Sequence, residues 1–350
     1  MSSSTLTSTV LEAEDGDAVN ELYQANGWTD GLPIVAPTES LVLRFVEAMG
    51  SRPGDVLGTE PVRRRRITAE KVAIAAVMAG CLPEYMPVVA AVVRAMCQPE
   101  FGLHGCTAST GGSAPLVIVN GPIRRAIGMN ATHNALANAS RANASIGRAV
   151  RLMLINVLGG VPGQLDRSTL GHPGKFTFCV AEDEEDSPWL PLALERRIPA
   201  GTSAVTVLAV ESPCQVMNEW THEPREILDT YAAAVRANML TYSIWAGNYA
   251  MVVARQHREI LAAAGWTKQN VRDYMFEQCR VSRRQWRDVG KAAIAGRDDE
   301  DKVYRAFRSP DDLLIVAAGG PAGGFGAIVP PWYGKNSLAV TMPVTQPDGQ

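Results

Sequence analysis

A chain of 350 residues with 46% hydrophobic content is long enough to bury one large core or two medium ones. Its net charge of −3 supplies no global field that would draw in nucleic acid. The six cysteines form no C-x-x-C pair, and several stand inside apolar runs, which suits free thiols in a reducing compartment.

The start, MSSSTLTSTVLEAEDGD, has neither a basic nor an apolar leader region, so a cytoplasmic location is expected. Residues 1–14 are Ser/Thr-rich and read as a disordered tail; residues 15–350 read as a single unit divisible into lobes at 15–165 and 166–350. A short helix is expected over Asp17–Asn26, then a loop around Gly31 and Pro33. Thr38 can cap a helix whose apolar face is Leu41, Val42, Phe45, Val46 and Met49, closed by Gly50. Arg63–Arg66 stand without interleaved aromatics, as a solvated or subunit-contact patch, and a homo-oligomer is expected. Thr68 offers the next helix start. The greasiest region, Val72 to Met96, is interrupted by Pro83 and Glu84 and reads as two buried helices, with no membrane span.

From Ala114 the pattern turns to strand. Apolar, β-branched runs at Pro115–Asn120, Phe176–Ala181, Ala204–Glu211 and Leu313–Ala317 alternate with helical stretches at 144–158, 225–240, 256–264, 267–280 and 282–295. This predicts an α/β fold: a mixed or largely parallel sheet with flanking helices and a helical N-terminal region. Three strands end in VNGP, VESP and AAGGP, a weak internal echo that puts turns at carboxyl ends, where open sheets commonly bind ligands. Asn120, in the first of them, joins the substrate-binding candidates.

The stretch GLHGCTASTGGSAP, before the first strand, gathers most of the candidate chemistry. Ser109, Thr110, Gly111, Gly112 and Ser113 can turn amides and hydroxyls toward one point and cradle an anion. In an extended segment His104 and Cys106 share a face, which permits an imidazole-activated thiolate. The stretch is no P-loop, since Gly-Lys-Ser/Thr is missing, and the glycine run Gly319–Gly326 is followed by no helix, against dinucleotide binding. His172 and Lys175 on one side of the second strand, and the acidic run Glu182–Asp186 on the other, are acid–base candidates. Five successive acids are more commonly a solvated turn; Lys175 and Glu182, nearest the strand, are retained as catalytic candidates. On the apolar helix near Asn143–Asn156, Arg148 and Arg151 share a face, so Arg148 can anchor a substrate carboxylate, with an internal acidic partner such as Asp166, or simple exposure, as the alternatives for these arginines. The five histidines show no metal-binding spacing, and no cofactor or metal is expected.

The phrases TDGLPIVAPTE (29–39), AGCLPEYMPVV (79–89), APLVIVNGPI (114–123), GHPGKFTFCVAEDEEDSPW (171–189) and GWTKQNVRDY (265–274) together resemble a bacterial family of uncertain function associated with UGSC-type (seleno)proteins. That family's Sec/Cys-Gly-Ser-Cys motif is absent here, so its thiol chemistry transfers to no residue of this chain. The resemblance implies a bacterial, cytoplasmic metabolic protein.

The resulting expectation is a cofactor-independent hydrolase or lyase acting on a small carboxylate- or acyl-type substrate, without nucleic-acid or membrane partners. His104 would be the base, Cys106 the nucleophile, Gly111–Ser113 the anion cradle and Arg148 the anchor. The alternatives are a thiol-redox component working with a partner protein and a non-catalytic anion-binding or scaffold protein.

Overall fold

The computed structural model describes residues 6–137, 140–295 and 300–345. Among them, β1 (Val56–Thr59) and β2 (Arg66–Thr68) form a small antiparallel hairpin. The main strands begin with β3 (Ala114–Asn120), β4 (Cys179–Ala181), β5 (Ala204–Val210), β6 (Cys214–Met217) and β7 (Tyr249–Val253). A second hairpin, β8 (Arg280–Ser282) with β9 (Val303–Arg305), precedes β10 (Leu313–Ala317), β11 (Phe325–Val329) and β12 (Val340–Pro343).

The continuous apolar runs of the sequence become strands buried on both faces. In β3, Leu116 and Ile118 pack with Ala250, Val252, Leu314 and Val316 of the other large sheet. Val117 and Val119, pointing the opposite way, pack under the helices Glu39–Ala48, Ala69–Met78, Met86–Met96 and Arg141–Asn156. The far face of the second sheet, with Tyr249, Met251, Leu313 and Ile315, is covered by Pro224–Thr241, Arg255–Ala263, Lys268–Gln278 and Arg283–Asp288. Two mixed sheets are thus pressed together between two helical layers, an α/β architecture with four layers. Each large side chain removed from water contributes about 1.5–3 kcal/mol.

The two sheets repeat one plan. β4 runs parallel to β3, β3 antiparallel to β5, and β5 antiparallel to β12; β10, β7, β11 and β6 pair in the same order and senses. The register repeats too: Val119 pairs with Ala181 and Val205, as Val253 pairs with Ala317 and Gly326. In each sheet the residue after the parallel neighbour donates its N–H back to the central strand, Glu182 to Val119 O at 3.1 Å and Ala318 to Val253 O at 3.3 Å. The fourth strands are exchanged: β6 follows β5 in the chain but pairs in the second sheet, and β12 follows β11 but pairs in the first. Strand pairing also crosses residue 165, since β3 lies on one side of it and both its neighbours on the other.

Several local expectations change. The VNGP and VESP ends lie at opposite rims because β3 and β5 are antiparallel, so the echo does not follow the repeat. β4 is shorter than expected, as Pro173–Lys175 forms a helical turn and Phe176 is half exposed. The strands at 249–253, 325–329, 214–217 and 340–343 were not read from the sequence. Thr38 and Thr68 stand at helix starts, yet neither hydroxyl makes a capping bond. Of the expected tail, residues 1–5 lie outside the described residues. Thr7 and Ser8 are tied to buried Glu70, their N–H groups donating to its Oε1 at 3.0 and 2.7 Å. Among the described residues no helix is long and apolar enough to cross a membrane.

Candidate functional site

The segment before β3 lies beside the carboxyl end of β5, because Ala114 pairs with Val210. Three more pieces of chain converge there. The 166–175 loop joins through Thr169, whose N–H donates to Thr110 O at 3.0 Å; the segment after β11 joins through Trp332 N–H on Ala209 O at 3.0 Å; and Tyr242 comes from the end of Pro224–Thr241. Gly112 makes the closest approach possible: it has φ +85°, and a Cβ there would stand 2.8 Å from the Gly171 backbone. Gly111 lies against the Tyr242 hydroxyl and Trp332 in the same way.

Two groups of polar side chains meet at this rim. In the first, Lys175 Nζ donates to Asp166 Oδ2 and Ser168 Oγ, both at 2.8 Å, and Arg151 Nη1 reaches Asp166 Oδ2 at 3.3 Å. Burial alone would raise the Asp166 pKa, but the bonds from Lys175 and Ser168 outweigh it and hold this carboxylate below its ordinary value. In the second, Tyr242 OH donates to Glu211 Oε1 at 2.7 Å. Burial pushes the Glu211 carboxyl up to about 7, against the lowering effects of that bond and of the Lys175 charge. Burial and then Glu211 itself raise the Tyr242 phenol, which therefore stays protonated as a donor. Oε2 of Glu211 meets no partner among the described residues. Between the groups, Ser109 Oγ accepts from Trp332 Nε1 at 2.7 Å and Gly111 N at 2.9 Å, leaving its own proton free to donate.

His172 is adjacent but occupied. Its Nδ1 accepts from Gly174 N at 3.2 Å and Nε2 faces Val210 O at 3.3 Å, which makes Nε2 the protonated nitrogen. Burial lowers its pKa, so the ring is neutral.

The sequence candidates divide. Ser109, Thr110, Gly111, Gly112, Ser113 and Lys175 gather at this rim; Thr110 is exposed, while Ser113 is buried with its hydroxyl donating to Cys106 O at 3.1 Å. His104 and Cys106 do not share a face, because Leu103–Ala108 is a helix and two residues turn the chain by about 200°. His104 Nδ1 looks toward buried Glu60 at 3.7 Å. Cys106 is buried, donates to Leu103 O at 3.3 Å, and has its thiol pushed up to about 12 by burial, against a small opposing effect of Lys175. We expect native Cys106 to resist alkylation below pH 9 and Cys106→Ser to keep turnover within about threefold, while a thiolate that labels near pH 7 would reverse this assignment.

The remaining candidates are spent on structure. Glu182 is 1% exposed and its carboxylate accepts from Asn120 Nδ2 at 2.6 Å, Leu192 N at 2.7 Å and Lys268 Nζ at 3.3 Å. It stands at the opposite end of β4 from Lys175, so the two serve no common point. Asn120 also donates to Glu184 Oε1 at 2.8 Å. The acidic run is no solvated turn at its start: Asp183 is buried and bound by fully buried Arg258. Arg148 grips Asp30 through two bonds of 2.8 Å and donates to Pro33 O at 2.8 Å, which fixes the 28–33 loop, while Asp166 takes Arg151 instead.

No protein-family model matches this chain, and no match was found among curated proteins. The resemblance to the UGSC-type family rests on the quoted phrases alone. Among the described residues no group of three or more His, Cys, Asp or Glu side chains could hold a metal ion.

Glu211, Tyr242, Ser168 and Trp332 were not singled out from the sequence, and Asp166 only as an arginine partner. The one signal for Glu211 is its place in Val-Glu-Ser-Pro, an acid directly ending an apolar strand.

Proposed function

We propose that the chain is a cofactor-independent hydrolase or lyase acting on a small carboxylate- or acyl-type substrate at the rim between Ser109 and Glu211. The observation that supports this reading is the Glu211 carboxyl: one oxygen held by Tyr242, the other unpartnered, and an affinity for protons matched to neutral pH. In its ionised form Glu211 takes a proton from a water or from the substrate. Ser109, with two N–H groups on its oxygen, offers a polarised hydroxyl, and Lys175 supplies positive charge beside the reacting group. A thiol scheme, nucleophilic or redox, gains no support at Cys106, whose sulfur is buried and hard to ionise. The same reading takes the protein to be a bacterial, cytoplasmic homo-oligomer.

The test is a panel of esters, thioesters and hydroxy-carboxylates assayed from pH 5 to 9. Turnover should rise through a limb near pH 7. Because Tyr242 stabilises the Glu211 carboxylate, Tyr242→Phe should move that limb upward by up to about one unit. Absence of turnover across the panel, or a limb indifferent to Tyr242→Phe, would remove the proposal.

A further inference from the structure

A cavity of about 350 Å³ opens beside the start of β10 and shares no lining residue with the Glu211 cluster. Its wall carries Arg196, Arg197, Arg272 and Glu195, with Asp311 also in the lining. The charges there are unevenly matched. Arg272 is spent on Glu195, at 2.8 and 2.9 Å, and on Leu313 O at 3.0 Å. The same Glu195 already holds Lys268 at 3.1 Å. Arg196, mostly buried, donates only to neutral oxygens: Nε to Thr341 Oγ1 and Nη2 to Ala339 O at 2.8 Å. No carboxylate pairs with it among the described residues. Burial, and then the charge of Arg272, hold its pKa below the usual guanidinium range.

A largely buried cation with no counter-ion is unfavourable, and an incoming anion relieves it. Arg197, next in the chain, adopts φ +65°, a conformation disfavoured for any residue with a Cβ, and is exposed in the cavity lining. Asp311 is exposed and makes no close ion pair with the arginines among the described residues. The other walls are apolar: Leu192, Leu313 and Leu314.

We infer that this cavity binds a small organic carboxylate, its oxygens taken by Arg196 and Arg197 and its short apolar body lying on Leu192, Leu313 and Leu314. The volume falls in the range of small-molecule sites, and guanidinium–carboxylate bonds are among the stronger charge-assisted contacts. The inference is independent of the function proposed for Glu211.

Calorimetry and thermal melting of the full chain with butyrate, benzoate and inorganic phosphate test it. Either carboxylate should bind saturably and raise Tm, with phosphate, which lacks the apolar body, roughly tenfold weaker or more. Arg196→Gln and Arg197→Gln should each weaken carboxylate binding about tenfold or more, and Asp311→Asn should strengthen it. Arg197 is exposed, so its variant reports on binding even if the Arg196 variant folds poorly. The site is disproved if neither carboxylate binds saturably, if phosphate binds as tightly, or if the Arg197 variant binds like the parent.

Discussion

Glu211→Gln is expected to cut turnover by roughly 10²–10⁴-fold and, at the same time, to make the protein more stable at pH 8. The two effects have one cause. Burial raises the Glu211 carboxyl from 4.5 to about 7, so between those values the folded protein keeps a proton that the unfolded chain has released. Stability from this group is therefore full below about pH 4.5, falls as pH rises, and is lost above about pH 7. The pKa difference alone would be worth about 3 kcal/mol, but the group is only partly buried, and solvent screening reduces this to about 1–2 kcal/mol. Glutamine cannot ionise, and its variant should show no such decline. Urea titrations of both proteins at pH 5 and pH 8 read the difference directly. An equal stability gap at the two pH values, or a variant retaining a tenth of parental turnover, would show that Glu211 is not the proton-transfer group.

The second large effect concerns stability alone. Glu182→Ala should cost about 3–5 kcal/mol, because it leaves Lys268 buried with one fewer counter-charge and strips acceptors from Asn120 and Leu192. Lys268→Met should cost a similar amount, and the double variant less than the sum, since both lose the same pair. The folded fraction of each should turn over at the parental rate, because Glu182 is 1% exposed and every contact it makes is internal. A Glu182 variant of normal urea midpoint with collapsed kcat would return this residue to the chemistry.

The legible parts of the fold were those with one dominant signal. β3 and β10 were visible as short apolar runs, and Pro224–Thr241 as a helical stretch over 225–240. β11 begins inside the run Gly323-Gly-Phe-Gly, whose glycines read as loop, although Gly326 is there because the Tyr231 ring lies against it. The loop holding most of the candidate cradle lies at a sheet rim, and the helical turn before it, Leu103–Ala108, could not be seen. A six-residue helix with one internal glycine, Gly105, and another, Gly102, at its start carries no periodicity to read, and that turn decides that His104 and Cys106 part company. Glu211 was hidden for a different reason. Its raised pKa comes from burial by chain that meets it only in the fold, and Tyr242 and Lys175, which oppose the shift, are also distant in sequence, so no local pattern announces such a meeting.

The traded strands β6 and β12 bear on how the molecule comes apart. Neither half can finish its own sheet, so neither is a self-sufficient folding unit, and denaturation should proceed as a single event with no surviving fragment. Assembly must wait for distant chain to return: Thr341 meets Thr206 across 135 residues of sequence, a closure that makes renaturation slow and leaves an open sheet edge exposed while it lasts. A gene doubled from a smaller ancestor that dimerised by lending a strand would produce this arrangement, with the two lenders now joined on one backbone.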